Sequence, residues 1–142
     1  MQKLKSVLLI DDDNAANFIH RIVIEETELV EDVGAFESPR AALKYLEDLQ
    51  SVSPFPEIIF LDINMPLMDG WEFLDYCEKH IPTLTDSCMV CILSSSIIGK
   101  DIIRADQHPL VSEYVAKPLT AAKVKSAHQL YFNLIGAKQK SN

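Results

Sequence analysis

Short, nearly unbroken apolar runs alternate along the chain with segments whose apolar residues recur every three to four positions. The runs are SVLLI (6–10), VGAF (33–36), EIIFL (57–61), CMVCIL (88–93) and SEYVA (112–116). Three of them are almost continuously apolar, as expected of strands covered on both faces. Between the runs, Phe18, Ile19, Ile22 and Val23 fall on one face of a helix that follows Asp13. Ser38-Pro39 reads as an N-cap and first-turn proline ahead of a stripe of Ala42, Leu43, Leu46 and Leu49. Gly70 precedes a third helix with Phe73, Leu74 and Cys77 inward. Residues 99–107 give a weaker fourth helix, and Val124, Ala127, Tyr131 and Leu134 mark a fifth. Strands alternating with helices in this way predict an α/β protein, a doubly wound five-stranded parallel sheet with helices on both faces, because each parallel crossover needs its own connection.

The polar residues that interrupt this pattern fall at one place in it. Asp11-Asp12 end the first run, Asp62 the third, Ser94 the fourth, and Lys117 follows the fifth. Open parallel sheets bind ligands beyond the carboxyl ends of their strands, where strand order reverses. With the order 2-1-3-4-5, strands one and three are neighbours, so Asp11, Asp12 and Asp62 converge. A lone carboxylate at the end of an apolar strand is costly unless something pairs with it. Crowded carboxylates repel unless a cation neutralises them. Oxygen ligands suit a hard cation, and few ligands with room for water favour Mg²⁺ over an enclosed Ca²⁺ cage. Lys117 adds a compact positive charge and Ser94 a hydroxyl donor. Together they form a receptor for a transferring phosphoryl group, a reaction promoted by positioning and charge stabilisation. Asp62 is then the nucleophile that forms an acyl phosphate.

Composition narrows the setting. At 142 residues the chain reads as one domain, residues 1–136, followed by a polar tail, AKQKSN, over 137–142. The formal charge of −8 argues against nucleic-acid or anionic-membrane partners, both of which need a basic surface. Only a short apolar stretch separates the N-terminus from Asp11, and no segment approaches the ~20 apolar residues of a membrane span, so a cytoplasmic location is expected. Three cysteines give no disulfide framework. Cys88 and Cys91 form a C-x-x-C inside a predicted strand, where they point to opposite faces and read as core thiols.

The motifs LLIDDD, FLDINMPLMDGWEFL, CILSSS and EYVAKPL, in this order and spacing, resemble the response-regulator receiver domain of two-component signalling. The resemblance covers residues 5–135 and is closest to the stand-alone, chemotaxis-regulator-like type. It implies a flavodoxin-like sheet of order 2-1-3-4-5. It implies that Asp62 is the phosphoacceptor, that Asp12, Asp62 and the backbone carbonyl of Asn64 ligate Mg²⁺, and that Asp11 acts mainly through water. Ser94 takes the switch hydroxyl position and Tyr114 the switch aromatic. A cis Lys117-Pro118 bond aims the lysine inward. The implied partners are a sensor histidine kinase or histidine phosphotransfer protein and an unknown downstream protein. Where receivers often carry Gly-Ala before the switch aromatic, this chain has QHPLVSEYVAKP, which leaves the helix-four region less defined. Asp13 reads as a helix N-cap rather than a pocket member.

Each of these residues also has a plainer reading. Asp62 could cap a turn, Ser94-Ser95-Ser96 could be a loop, Lys117 a solvated lysine and Tyr114 strand core. Asp69-Gly70 reads as turn chemistry. His20, His80, His108 and His128 lack metal spacing and read as surface residues, with partial burial for His20. Trp71 reads either as a docking residue or as helix packing. Two other functions compete. A haloacid-dehalogenase-like phosphohydrolase would use the same residue types, but here the paired acids come first, Asn64 stands where its general acid would be, and no cap insertion is present. A receiver-like scaffold that is never phosphorylated would not need the full set of site residues.

Overall fold

The computed structural model describes residues 2–52, 54–96 and 98–140, with side chains described to residue 135. Its strands are β1 (Leu4–Ile10), β2 (Val30–Phe36), β3 (Ile58–Leu61), β4 (Met89–Ser94) and β5 (Val111–Ala116). Its helices are α1 (Asn14–Glu26), α2 (Pro39–Leu49), α3 (Gly70–His80), α4 (Gly99–Gln107) and α5 (Ala121–Lys140). The strands form one parallel sheet in the order β2-β1-β3-β4-β5. This is the flavodoxin-like order expected from the motifs.

Two apolar layers cover the sheet. Leu8, Ile10, Ile59, Leu61, Val90 and Ile92 point to one side and pack against α2 and α3 through Leu46, Phe73 and Leu74. Val7, Leu9, Ile58, Phe60, Met89 and Cys91 point to the other and meet Ile24 of α1 and Val124, Ala127 and Tyr131 of α5. The alternation along each strand sets this division. Cys88 and Cys91 fall in different layers, as their spacing predicts. Burial pushes both thiols up from their ordinary range and Cys77 up to about 12, so none is a ready nucleophile.

The helix caps follow the sequence. Asp13 accepts hydrogen bonds from the Ala15 and Ala16 amides, and Ser38 accepts one from Ala41 ahead of Pro39. Asp69 and Glu72 form a reciprocal capping box at the start of α3, so Asp69 is indeed turn and cap chemistry.

The structure differs from expectation in several places. Strand β2 begins at Val30 rather than 33, because it is an edge strand whose first residues, Glu31 and Asp32, are exposed. Helix α5 continues to Lys140 and takes in residues 137–140, expected as polar tail; residues 141 and 142 lie outside the described set. On α1 the inward face is Asn17, His20 and Ile24, whereas Phe18, Ile19 and Ile22 are exposed. His20 and His128 are buried rather than on the surface, and the His128 ring nitrogen meets the Gln2 carbonyl at 2.6 Å. Trp71 is buried under Arg104, whose guanidinium lies 4.6 Å from the ring centroid, so it is packing rather than an exposed docking residue. Leu134 is exposed. Among the described residues no helix is long and apolar enough to cross a membrane.

Candidate functional site at the carboxyl edge of the sheet

Strand register assembles the site. Ile10 pairs with Leu61, so the next residues, Asp11 and Asp62, leave the sheet side by side, and the Asp62 amide donates to the Ile10 carbonyl at 2.9 Å. Leu61 pairs with Ile92, and Ser94 with Ala116, which brings Ser94 and Lys117 to the same edge. The Lys117 amide donates to the Ser94 carbonyl at 2.9 Å, and the Lys117-Pro118 peptide is cis. Lys117 Nζ donates to Asp11 Oδ2 at 2.7 Å and lies 3.8 Å from Asp62 Oδ2.

The carboxylates are held individually by local backbone. The Asp13 amide donates to Asp11 Oδ1 at 2.9 Å, and the Asn64 amide donates to Asp62 Oδ1 at 3.2 Å. Asp11 and Asp62 are only 4% and 6% exposed, whereas Asp12 stands at the rim. One carboxylate oxygen from each of Asp11, Asp12 and Asp62 lies within 4.8 Å of the other two. Ser94 is fully buried, and its Oγ accepts from the Ser96 amide at 3.0 Å. The side chain of Asn64 is exposed.

The electrostatics are unbalanced in favour of negative charge. Burial, and next the Asp11 charge, push the Asp62 carboxyl up to about 6 against the opposing pull of Lys117 and the Asn64 amide; Asp12 adds to the rise. One ammonium does not offset three carboxylates. An all-oxygen donor set with one exposed member and a carboxyl that resists ionisation fits a hard metal cation. Asp11, Asp12 and Asp62 could hold it.

The scaffold beneath the site is tight. A Cβ on Gly70 would come within 2.6 Å of the Ile63 Cα and 2.8 Å of the Asp62 carbonyl oxygen, so only glycine lets α3 start against the end of β3. Leu67, at φ 68°, turns the chain between Met65-Pro66 and that helix. On the other flank the half-buried Tyr114 donates its hydroxyl to the Ser96 carbonyl at 2.8 Å, and Ser96 Oγ donates to Asp101 of α4 at 3.1 Å. At this edge Asn17 escaped the sequence reading, and His20, expected to be partly buried, is buried more fully. Asn17 donates to the carbonyls of Asp11 and Phe36, and His20, within electrostatic reach of Asp11 and Lys117, is pulled below its ordinary range mainly by burial. Their spacing with Ile24 on one helical face was the available signal.

The chain belongs to the response regulator receiver domain family, whose model matches residues 7–129. A crystal structure of a two-component response regulator from Cytophaga hutchinsonii superposes with a TM-score of 0.89 at 38% identity, covering 93% of this chain and 99% of that one. The phosphorylated cyanobacterial phytochrome response regulator RcpA superposes at 0.69 with 25% identity, covering 92% and 91%. Among curated relatives, a probable C4-dicarboxylate response regulator, DctR, from Halalkalibacterium halodurans is 28% identical over 98% of this chain and 56% of its own length. A protein-glutamate methylesterase/protein-glutamine glutaminase of Burkholderia thailandensis is 36% identical over 54% of this chain and 20% of its own. The chain thus spans between a fifth and about half of the length of these two relatives.

Proposed function

We propose that the protein accepts a phosphoryl group on Asp62 from a histidine kinase or histidine phosphotransfer protein. The observation that supports this best is the meeting of three carboxylates within 4.8 Å of one another with the Lys117 ammonium 3.8 Å from Asp62. A carboxylate oxygen of Asp62 bonds to phosphorus as the donor's P–N bond breaks, and the departing imidazole takes a proton from solvent. Lys117 meets the charge that develops on the phosphoryl oxygens. Ser94 offers its hydroxyl to one of those oxygens. Asp12, Asp62 and the Asn64 carbonyl would hold Mg²⁺ directly and Asp11 through water. That ion supplies charge neutralisation for the approaching phosphoryl group.

The outer face of α1 suits the approach of the donor. Phe18, 66% exposed, and its neighbours Ile19 and Ile22 form an exposed apolar stripe on the helix that follows Asp11-Asp12. Modification at Asp62 draws Ser94 toward the phosphoryl group, and Tyr114 follows into the vacated space, reshaping the surface of α4, β5 and α5 for a downstream protein.

Incubation with acetyl phosphate and Mg²⁺, followed by intact-mass spectrometry, tests this reading. The expected result is a gain of one phosphoryl group that is absent in Asp62→Asn. Sustained hydrolysis of small phosphate esters would favour the phosphohydrolase instead, and no mass gain would favour the scaffold.

A further inference from the structure

We propose that Asn17 is a positioning residue for the acid pocket, fixing the Asp11–Asp12 peptide and through it the direction of the Asp12 carboxylate. This rests on the reading of the pocket as a Mg²⁺ site. Asn17 lies in the first turn of α1 and is 4% exposed. Its Nδ2 donates to the Asp11 carbonyl at 2.9 Å and to the Phe36 carbonyl at 3.3 Å. The same Phe36 carbonyl accepts from the Asp11 amide at 3.1 Å. One side-chain amide therefore closes a ring joining the ends of β1 and β2 to α1.

Asp12 depends on that ring. Its carboxylate is exposed and has no hydrogen-bond or ion-pair partner among the described residues. Its place is set by the backbone leaving Asp11, whose amide and carbonyl are both held in the ring. The peptide that Asn17 grips contains the Asp12 nitrogen, so rotating it would swing Asp12 relative to Asp62. The arrangement also has a cost. Two carbonyls can only accept, so the NH₂ must face them, and this leaves Asn17 Oδ1 buried without a partner. An unsatisfied buried acceptor destabilises the fold. A leucine of similar size would remove that orphan but leave the buried Asp11 carbonyl without its Asn17 donor, so the two sequences differ less in stability than in how the peptide is held.

Mg²⁺ titration of the whole chain, followed through the amide shifts of Asp12, Asp13 and Asn64, tests the inference alongside urea unfolding in EDTA. Asn17→Leu is expected to weaken Mg²⁺ binding about tenfold, the low end for residues that orient a metal ligand. Its unfolding midpoint in EDTA stays near that of the wild type. In an Asp12→Asn background the same substitution should change affinity less than twofold, since its effect runs through Asp12. Should Asn17→Leu fail to fold, Asn17→Ser, which keeps one donor, is measured in the same way. Unchanged Mg²⁺ affinity in the folded variant, or an equal tenfold loss in the Asp12→Asn background, would overturn the role of Asn17 while leaving the pocket intact. A wild-type protein that binds no Mg²⁺ at millimolar concentration would overturn the pocket reading and this role with it.

Discussion

Asp62 is held where its charged form is disfavoured, and that has a consequence for stability. In the unfolded chain its carboxyl titrates near 3.8, in the folded protein near 6, with burial and then Asp11 as the main causes. The folded state keeps the proton longer, so ionisation destabilises it. In metal-free buffer the penalty is absent below pH 4, grows as pH rises from about 4 to 6, and is complete above that. A rise of this size corresponds to a penalty on the order of 2–3 kcal/mol. Asp62→Asn removes the charge while keeping the shape, so it is expected to raise the urea-unfolding free energy in EDTA by about 2–3 kcal/mol at pH 7.5. The gap should close by pH 4; a constant difference across this range would mean that Asp62 is not electrostatically strained. The site residues at strand ends were legible in the sequence because each interrupts an apolar run. Asn17 was not, and His20 only as a partly buried residue, because a polar residue inside a helix announces neither full burial nor the groups it serves.

At the level of elements, legibility followed burial on both faces. The central strands β1, β3 and β4 read clearly from their continuous apolar runs, whereas the start of β2 at Val30 was hidden because Glu31 and Asp32 face solvent at the sheet edge, though they lie in the paired strand. Helix α1 shows why periodicity finds an apolar face without saying what covers it. Its strongest stripe, Phe18, Ile19 and Ile22, points outward, while the sheet side takes Asn17 and His20 to meet the polar strand ends. If that stripe receives the phosphodonor, Phe18→Ala should slow transfer from a histidine kinase or phosphotransfer protein about tenfold. Phosphorylation by acetyl phosphate, which needs no docking face, should stay within twofold. Because the side chain is mostly in solvent, unfolding stability should change by no more than about 0.5 kcal/mol. Equal slowing of both donors would place the effect in the pocket rather than on the helix face.

Across the whole molecule, the expected output surface includes an element with little apolar burial. Helix α4 buries only Ala105, while Ile102 and Ile103 face outward. It is tied down by a few polar contacts: Ser96 to Asp101, Arg104 over Trp71, and His108 Nε2, which donates to Asp75 Oδ1 at 3.1 Å because Nδ1 accepts from the Leu110 amide. The Tyr114 hydroxyl joins this set through the Ser96 carbonyl, two residues beyond Ser94. An element with little apolar burial opens at low free energy, so it is the natural one for a local event at Ser94 to move. Adding beryllium fluoride with Mg²⁺ as a phosphoryl mimic should therefore shift amide resonances over residues 94–134 and alter hydrogen exchange in α4. Tyr114→Phe removes one hydrogen bond, worth about 0.5–1.5 kcal/mol. Exchange of the α4 amides in the unmodified protein should then quicken by roughly two- to tenfold, and the mimic should add a smaller further change. A wild-type spectrum that stays fixed over 94–134 on adding the mimic, with shifts confined to Asp11, Asp12 and Asp62, would mean that the pocket accepts its ligand without reaching the face built by α4, β5 and α5.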